Sequence, residues 1–244
     1  HDGRHLGLGG VGRGDDPFDL SRLERVGQAV GREMKEYGVT FWLAPALNIQ
    51  RNPLCGRNFE YFSEDPLLSG KSAAALVRGV QSHGGLYATI KHFLCNNQED
   101  NRNQVSSNVH ERTLREIYLK GFRIAVREGG AAAVMTSYNR INGIYAPESH
   151  DACTTILRDE WGFSGVVMTD WMSTGRGRAS AAKAISAGND LIMAGLPFDK
   201  RDIRKAIRAG SLDLDDLRRS CARVVRSILS SQIAREVSPD QFER

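Results

Sequence analysis

Several side chains that could act on a sugar follow short apolar runs in this sequence. Asp170 comes directly after a threonine that ends the apolar run 166–168. A run without alternation is typical of a strand buried on both faces of a parallel sheet. A carboxylate at a strand end beside an aromatic ring, here Trp171, suits attack on a sugar. The alternative is that Asp170 caps the next helix.

Three further apolar runs are also followed by polar side chains. Arg57 lies in the long loop 45–65 after the first run, Lys91 and His92 follow the second, and Tyr138 follows the third. Arginine and lysine donate to vicinal hydroxyls, and histidine adds a neutral donor or acceptor. A tyrosine hydroxyl near a carboxylate can orient it and hold it ionised. Together these groups suit a pyranoside.

Each of these residues also has a purely structural interpretation. The structural alternatives are an ion pair of Arg57 with Glu60 or Glu64, a satisfied core histidine at His92, a surface lysine at Lys91 and a packed tyrosine with a bonded hydroxyl at Tyr138. The strand ends of an α/β barrel collect the active-site residues at one rim. Because all the candidates fall at such ends, their coincidence favours a functional site.

The elements that must position these residues alternate along the chain. The apolar runs predict strands at residues 39–44, 86–90, 131–136, 166–169 and 190–193. The apolar stripes and caps predict helices at residues 20–37, 66–82, 111–128, 151–161, 178–187, 199–209 and 214–229. This order predicts an α/β fold with a parallel sheet, a TIM-like (β/α)8 barrel. Five of the eight units are visible, so we expect an incomplete barrel or first strands that precede His1.

Composition bounds the possible functions. The chain has 244 residues, 41% of them hydrophobic and 25% charged, with a net charge of +4. We expect one globular domain over residues 1–244, with residues 1–19 irregular and 230–244 a tail. Basic residues are mixed with acids, so we expect no nucleic-acid partner. No apolar run reaches membrane-spanning length, so we expect no membrane partner, and we expect no signal peptide at the start of the sequence.

No cofactor or metal is expected. The glycine-rich segment 7–12 does not follow a predicted strand, which argues against a dinucleotide loop. The histidines lack ligand spacing, and the four cysteines lie far apart. Scattered thiols of this kind favour a reducing compartment such as the cytoplasm.

Five sequence blocks carry a resemblance to a known family. They are residues 55–66 (CGRNFEYFSEDP), 91–93 with 96–99 (KHF and NNQE), 111–119 (ERTLREIYL), 135–143 (MTSYNRING) and 162–171 (GFSGVVMTDW). In order and spacing these blocks resemble glycoside hydrolase family 3, closest to its β-glucosidases, from about residue 16 to about residue 229. The resemblance implies a (β/α) barrel and a retaining mechanism.

The resemblance also implies roles for individual residues. It makes Asp170 the nucleophile that forms the glycosyl-enzyme. The implied substrate-binding residues are Arg57, Lys91 and His92 on the sugar hydroxyls, Tyr138 in support of Asp170, Met135 in the pocket lining and Trp171 at the subsite edge. Asp2 resembles the aspartate of the family's Asp-Gly-Pro segment, which grips the outer hydroxyls, although Arg4 stands where that segment has proline.

The family's general acid/base has no counterpart in these blocks. In most members it lies in an α/β-sandwich domain that follows the barrel, and no such domain is expected in this chain. A retaining hydrolase needs two carboxyl groups about 5–5.5 Å apart. The N-acetylglucosaminidase branch instead uses an Asp-His pair in the loop after the Lys-His strand. Here that loop (residues 96–102, NNQEDNR) has no histidine, and Glu99 is a weak substitute.

These observations favour a retaining glycosidase that cleaves terminal, non-reducing β-D-glucosyl residues through Asp170. Its expected partners are a β-glucoside or oligosaccharide substrate and a sandwich domain or second subunit that supplies the acid/base. One alternative is a catalytically incomplete barrel that binds carbohydrate or a partner. Another is β-xylosidase or N-acetylglucosaminidase specificity.

Overall fold

The structure, a computed structural model, describes residues 19–236. The strands are β1 (Phe41–Trp42), β2 (Tyr87–Phe93), β3 (Ser106–Ser107), β4 (Ala133–Thr136), β5 (Arg140–Ile141), β6 (Ile144–Tyr145) and β7 (Val166–Thr169). The α-helices are α1 (Leu20–Glu36), α2 (Pro66–Gln81), α3 (Glu111–Thr113), α4 (Lys120–Arg127), α5 (Ala181–Ala187), α6 (Pro197–Arg208), α7 (Leu214–Leu229) and α8 (Gln232–Glu236). Within this part of the chain, no helix is long and apolar enough to cross a bilayer.

Four strands form one parallel sheet in the order β1-β2-β4-β7. All four residues of β4 and all four of β7 are buried. This confirms that the unalternating apolar runs are strands covered on both faces. The predicted strand at residues 190–193 is reduced to one parallel bridge between Leu191 and Met168, so it adjoins β7 without forming a regular ladder.

Successive residues of the central strands face different apolar layers. Val134 and Val167 belong to the large cluster, which also contains residues of α1, α2 and α4. Met135 and Met168 belong to a separate small cluster with Met193. This alternation follows from the two-residue period of a strand. It gives the sheet a helix-covered face and a second apolar face, as a barrel interior requires.

Several predicted boundaries are wrong. The strand at residues 39–44 shortens to β1, in which only Phe41 and Trp42 pair with β2. Beyond it, Ala46 makes only an isolated bridge with Lys91. The helix at residues 178–187 begins at Ala181, since the side chain of Ser180 caps it. The helix at 111–128 is interrupted by a π-helical turn, Leu114–Tyr118, and residues 151–160 are π-helical.

The helix starts predicted from caps are confirmed. The Asp19 side chain accepts a hydrogen bond from the backbone N–H of Ser21 at the start of α1. The Asp65 side chain accepts from two backbone N–H groups at the start of α2, where Pro66 is the first helical residue. The second of these caps ends the loop 45–65, which carries Arg57.

A buried carboxylate ties β7 to the helices behind it. The Oδ2 atom of Asp190 accepts from Arg158 at 2.7 Å and from the backbone N–H of Val167 at 2.8 Å. Its Oδ1 atom accepts from Arg223 at 2.9 Å. The side chains of Asp190 and Arg158 are almost fully buried, at 0% and 8% exposure. Asp190 therefore links β7 to α7 and to the helix that contains Arg158.

We expect Asp190→Ala to lower the free energy of unfolding by about 3–5 kcal/mol, because it leaves the buried Arg158 guanidinium without its counterion. Denaturant unfolding would measure the change. The matched control is Asp215→Ala, which removes the exposed partner of Arg218 and should cost less than about 1 kcal/mol. Equal losses in the two variants would contradict a structural role for the buried pair.

Candidate active site

Asp170 stands at the end of β7 with one carboxylate oxygen unpartnered. Its backbone N–H donates to the carbonyl of Thr136 at 3.2 Å, which ties it to the end of β4. Its Oδ1 atom accepts from the backbone N–H of Trp171 at 2.7 Å. The Oδ2 atom is buried and has no hydrogen-bond partner among the described residues. The helix-cap interpretation is wrong, since the next helix begins at Ala181 under the cap Ser180.

The surroundings of Asp170 act on its charge in opposite directions. Burial raises the pKa of this carboxyl above its ordinary value. The Trp171 N–H, the Tyr138 hydroxyl and the cations Arg57 and Lys91 oppose that shift. The ionised form, which is the nucleophilic one, therefore depends on these four groups.

Glu60 holds the two cations together. Its Oε1 atom lies 2.5 Å from Nε of Arg57, and its Oε2 atom lies 3.3 Å from Nζ of Lys91. The structural pairing of Arg57 with Glu60 is thus confirmed, but it lies within the cluster around Asp170. The Lys91 side chain is only 16% exposed, so the surface alternative is wrong. Sequence reasoning missed this role of Glu60, although its place three residues after Arg57 is an available signal.

Lys91 and His92 are neighbours that both reach the site. In a regular strand they would point to opposite faces. The pairing of β2 with β4 shifts register between Ile90 and Phe93, and this irregularity accommodates both side chains. The Nε2 atom of His92 lies 3.7 Å from Oδ2 of Asp170. Sequence reasoning could not anticipate a shift that depends on the neighbouring strand.

The contact between His92 and Asp170 is not an ion pair. Burial, assisted by three cations of the cluster, lowers the pKa of His92 well below its ordinary range. The imidazole is therefore neutral at physiological pH. The alternative of a buried histidine is confirmed in part, because His92 is 1% exposed and its Nδ1 atom is bonded to Asn48. Its other nitrogen nevertheless faces Asp170.

Tyr138 is oriented from two sides. Its hydroxyl donates to the backbone carbonyl of Trp171 at 2.7 Å. The guanidinium carbon of Arg102 lies 4.3 Å from the centroid of its ring, in a cation–π contact. Burial, with the nearby Asp170 carboxylate, raises the pKa of Tyr138 to about 12, so the phenol stays protonated.

Arg102 is a cluster member that sequence reasoning missed. Its Nη1 atom donates to Glu99 at 2.6 Å, and Glu99 also accepts from Asn96 at 3.0 Å. The ion pair of Glu99 with Arg102 does not favour Glu99 as the substitute acid. The signal for Arg102 is its position three residues after Glu99 in the loop that follows β2.

The remaining predicted residues lie at or beyond the edge of this cluster. Met135 is buried in the small apolar cluster of the sheet, and contact with a ligand stays a prediction. Trp171 follows Asp170 and is 51% exposed. Asp2 lies outside the described residues. Within residues 19–236, no group of three or more metal-ligating side chains is arranged to hold an ion.

A cavity of about 710 Å³ lies beside the cluster rather than at it. Its lining consists of Arg51, Cys95, Asn97, Ser107, Asn108, Val109, His110, Thr113, Tyr118 and Asn142. None of the predicted strand-end residues is among them. The site is therefore identified by the chemistry of the groups around Asp170 and not by the size of a cavity.

We expect Asp170→Asn to raise the melting temperature near pH 7. Because the pKa of Asp170 is raised in the folded protein, wild-type stability falls as the pH rises from 3.8, its ordinary value, through the raised value. The gain in stability of Asp170→Asn over the wild type should be complete above this pH interval and absent below it. Thermal unfolding across this pH range would measure it. Asp215→Asn, at an exposed position, is the control, and a loss of stability in Asp170→Asn would contradict the expectation.

Comparison with known proteins identifies the family of this chain. Residues 14–227 match the family model described as the glycosyl hydrolase family 3 N terminal domain. A β-glucosidase of Rhizobium radiobacter is 45% identical over 227 residues, which cover 93% of this chain and 27% of that protein. β-Glucosidase A of Butyrivibrio fibrisolvens is 54% identical over 168 residues, which cover 69% of this chain and 20% of that protein.

Solved structures give the same result. The β-glucosidase 3B of Thermotoga neapolitana in complex with glucose matches with a TM-score of 0.84 and 42% identity, over 93% of this chain and 33% of that one. The chain thus spans between a fifth and a third of the length of these relatives. The predicted TIM-like barrel is confirmed. On the match over residues 14–227, the chain belongs to glycosyl hydrolase family 3.

Proposed function

We propose that this chain carries the nucleophile and sugar-binding groups of a retaining β-glucosidase, which cleaves terminal, non-reducing β-D-glucosyl residues. The observation that carries the proposal is the free Oδ2 atom of Asp170, buried among groups that stabilise its negative charge. The proteins reported above are β-glucosidases, which supports glucose as the sugar.

In the proposed reaction, Oδ2 of Asp170 attacks the anomeric carbon and displaces the aglycone oxygen. A covalent glycosyl-enzyme forms, and water then hydrolyses it with retention of configuration. Arg57 and Lys91 would donate hydrogen bonds to sugar hydroxyls, and the neutral imidazole of His92 would form a hydrogen bond with another hydroxyl. The proposed supporting residues are Tyr138 beside the nucleophile, Met135 in the pocket lining, Trp171 at the subsite edge and Asp2 on the outer hydroxyls.

The departing oxygen needs a proton from a general acid. Glu60 and Glu99, the two glutamates of the cluster, are both paired with cations, so neither is proposed as this acid. We therefore propose that an α/β-sandwich domain or a second subunit supplies the acid, with residues 1–244 forming the barrel domain. The relatives are three to five times as long as the aligned part, which leaves room for such a domain.

We expect Asp170→Ala in the full-length protein to lower kcat for an aryl β-glucoside by about ten thousandfold or more, because no covalent intermediate can form. With a dinitrophenyl 2-deoxy-2-fluoro-β-glucoside, the intact mass of the wild type should rise by one glycosyl unit, and that of the variant should not. Glu99→Gln is the control and should retain the mass increase. Full turnover in Asp170→Ala would exclude this aspartate as the nucleophile.

The dependence on the leaving group separates an incomplete barrel from a hydrolase. A barrel with a nucleophile but no acid should release dinitrophenol, which leaves without a proton, and should not release alkyl alcohols. A carbohydrate-binding module should release neither. Parallel assays of residues 1–244 and of the full-length protein on both types of glucoside would distinguish the three cases.

A further inference from the structure

The carboxamide of Asn48 forms hydrogen bonds with both backbone polar groups of His92. Its side chain is buried at 2% exposure. Its Nδ2 atom donates to the backbone carbonyl of His92 at 2.9 Å, and its Oδ1 atom accepts from the backbone N–H of His92 at 2.8 Å. A carboxamide that pairs with both groups of one residue can be oriented in only one way. The oxygen of Asn48 is therefore the atom on the side of the His92 N–H.

The same oxygen faces the imidazole ring. Oδ1 of Asn48 lies 3.3 Å from Nδ1 of His92, within hydrogen-bond geometry. An amide oxygen can only accept, so Nδ1 must be the nitrogen that carries the proton. A neutral imidazole has one N–H, which leaves Nε2 with a bare lone pair. That nitrogen is the one that lies 3.7 Å from Oδ2 of Asp170.

We propose that Asn48 is a positioning residue that keeps the proton of His92 on Nδ1 and thereby leaves the attacking oxygen of Asp170 free. If the proton lay on Nε2, a small rotation of the ring would direct this N–H onto Oδ2. The resulting hydrogen bond would occupy the atom that must attack the anomeric carbon. The unpartnered Oδ2 atom is the arrangement expected from the Nδ1 tautomer. The inference rests on the proposed role of Asp170 as nucleophile.

The tautomer also sets the hydrogen-bond polarity of the site. The bare Nε2 of His92 can only accept, so a ligand must present a donor to it, while Oδ2 of Asp170 is left for the anomeric carbon. Arg57 and Lys91, on the Glu60 side of the cluster, can only donate and require acceptors there. A hydroxyl group can do both, which suits a sugar with free vicinal hydroxyls. A substituent that only accepts would be disfavoured next to His92.

Charged and titratable groups from several elements influence His92. They are Arg57 from the loop before α2, Lys91 from β2, Arg102 from the loop after β2, Asp170 from the end of β7 and the Tyr61 ring, whose centroid is 6.3 Å from the imidazole. The cations and burial keep the ring neutral, and the contact with Asn48 decides which nitrogen holds the remaining proton.

The first test is a long-range ¹H–¹⁵N spectrum of the full-length protein labelled with [¹⁵N]histidine, near pH 7. The signals of His92 are assigned by their loss in His92→Gln. We expect a neutral ring with a protonated Nδ1 and a bare Nε2. A protonated Nε2, in either the neutral or the charged ring, would overturn the proposal. This spectrum decides the question even if variants of Asn48 do not fold.

The second test is Asn48→Ala, which removes the acceptor at Nδ1. The proton should then move at least partly to Nε2, and glycosylation should slow by about tenfold or more. The matched control is Asn189→Ala, another buried asparagine whose carboxamide bonds backbone carbonyls, but at Pro147 and Ala184. It should lower the melting temperature and leave the His92 tautomer unchanged.

A folded Asn48→Ala variant that keeps the Nδ1 tautomer would overturn the role of Asn48. The outcomes also separate this inference from the proposed function. A bare Nε2 in a protein that forms no glycosyl-enzyme would contradict the nucleophile and not the tautomer. A protonated Nε2 in an active β-glucosidase would contradict the tautomer and not the nucleophile.

Discussion

The burial of a single carboxylate is the constraint on which the site depends. Desolvation disfavours the charge of Asp170, and that charge is what a nucleophile needs. An N–H from Trp171, a hydroxyl from Tyr138 and the two cations Arg57 and Lys91 oppose this effect of burial. Each of these is held by a further contact, and the two cations share the carboxylate of Glu60. The negative Asp170, the two cations and the negative Glu60 therefore alternate in charge, and the position of each depends on its neighbours.

The parallel sheet brings these charged groups to one place. Parallel strands deliver their carboxyl ends to one edge, and helices cover the sheet from outside. Because β4 and β7 are buried on both faces, their ends cannot shift without disturbing two apolar layers. Asp190 adds a polar tie between β7 and the helices behind it. A rigid support of this kind suits a site that must hold a charge against the cost of burial.

His92 contributes by being neutral. A protonated imidazole at 3.7 Å from Asp170 would form an ion pair with the carboxylate and compete with any substrate for it. Burial and the cations prevent that protonation. Arg57 and Lys91, which support the negative charge of Asp170, therefore also assist burial in keeping His92 uncharged. One electrostatic arrangement serves two purposes.

Much of this was predictable from the sequence because it depends on local pattern. Unbroken apolar runs indicated buried strands, caps indicated where α1 and α2 begin, and the polar residues after the runs indicated Asp170, Arg57 and the Lys91-His92 pair. The missed parts depend on distant contacts. Asn48 and His92 are 44 positions apart, and Arg102 matters because its loop passes over Tyr138. Strand ends were also misplaced at residues 39–44 and 190–193, where hydrogen bonds to neighbours decide where a ladder stops.

The sequence by itself determined the alternation of strands and helices, the family and the chemical types gathered at the strand ends. Those properties follow from hydrophobic period, capping and residue identity, which need no knowledge of neighbours in space. The tertiary structure alone decided which oxygen of Asp170 is free, that Glu60 joins two cations and that His92 is neutral. Those properties follow from burial and from distances between separate segments, and both exist only after the chain has folded.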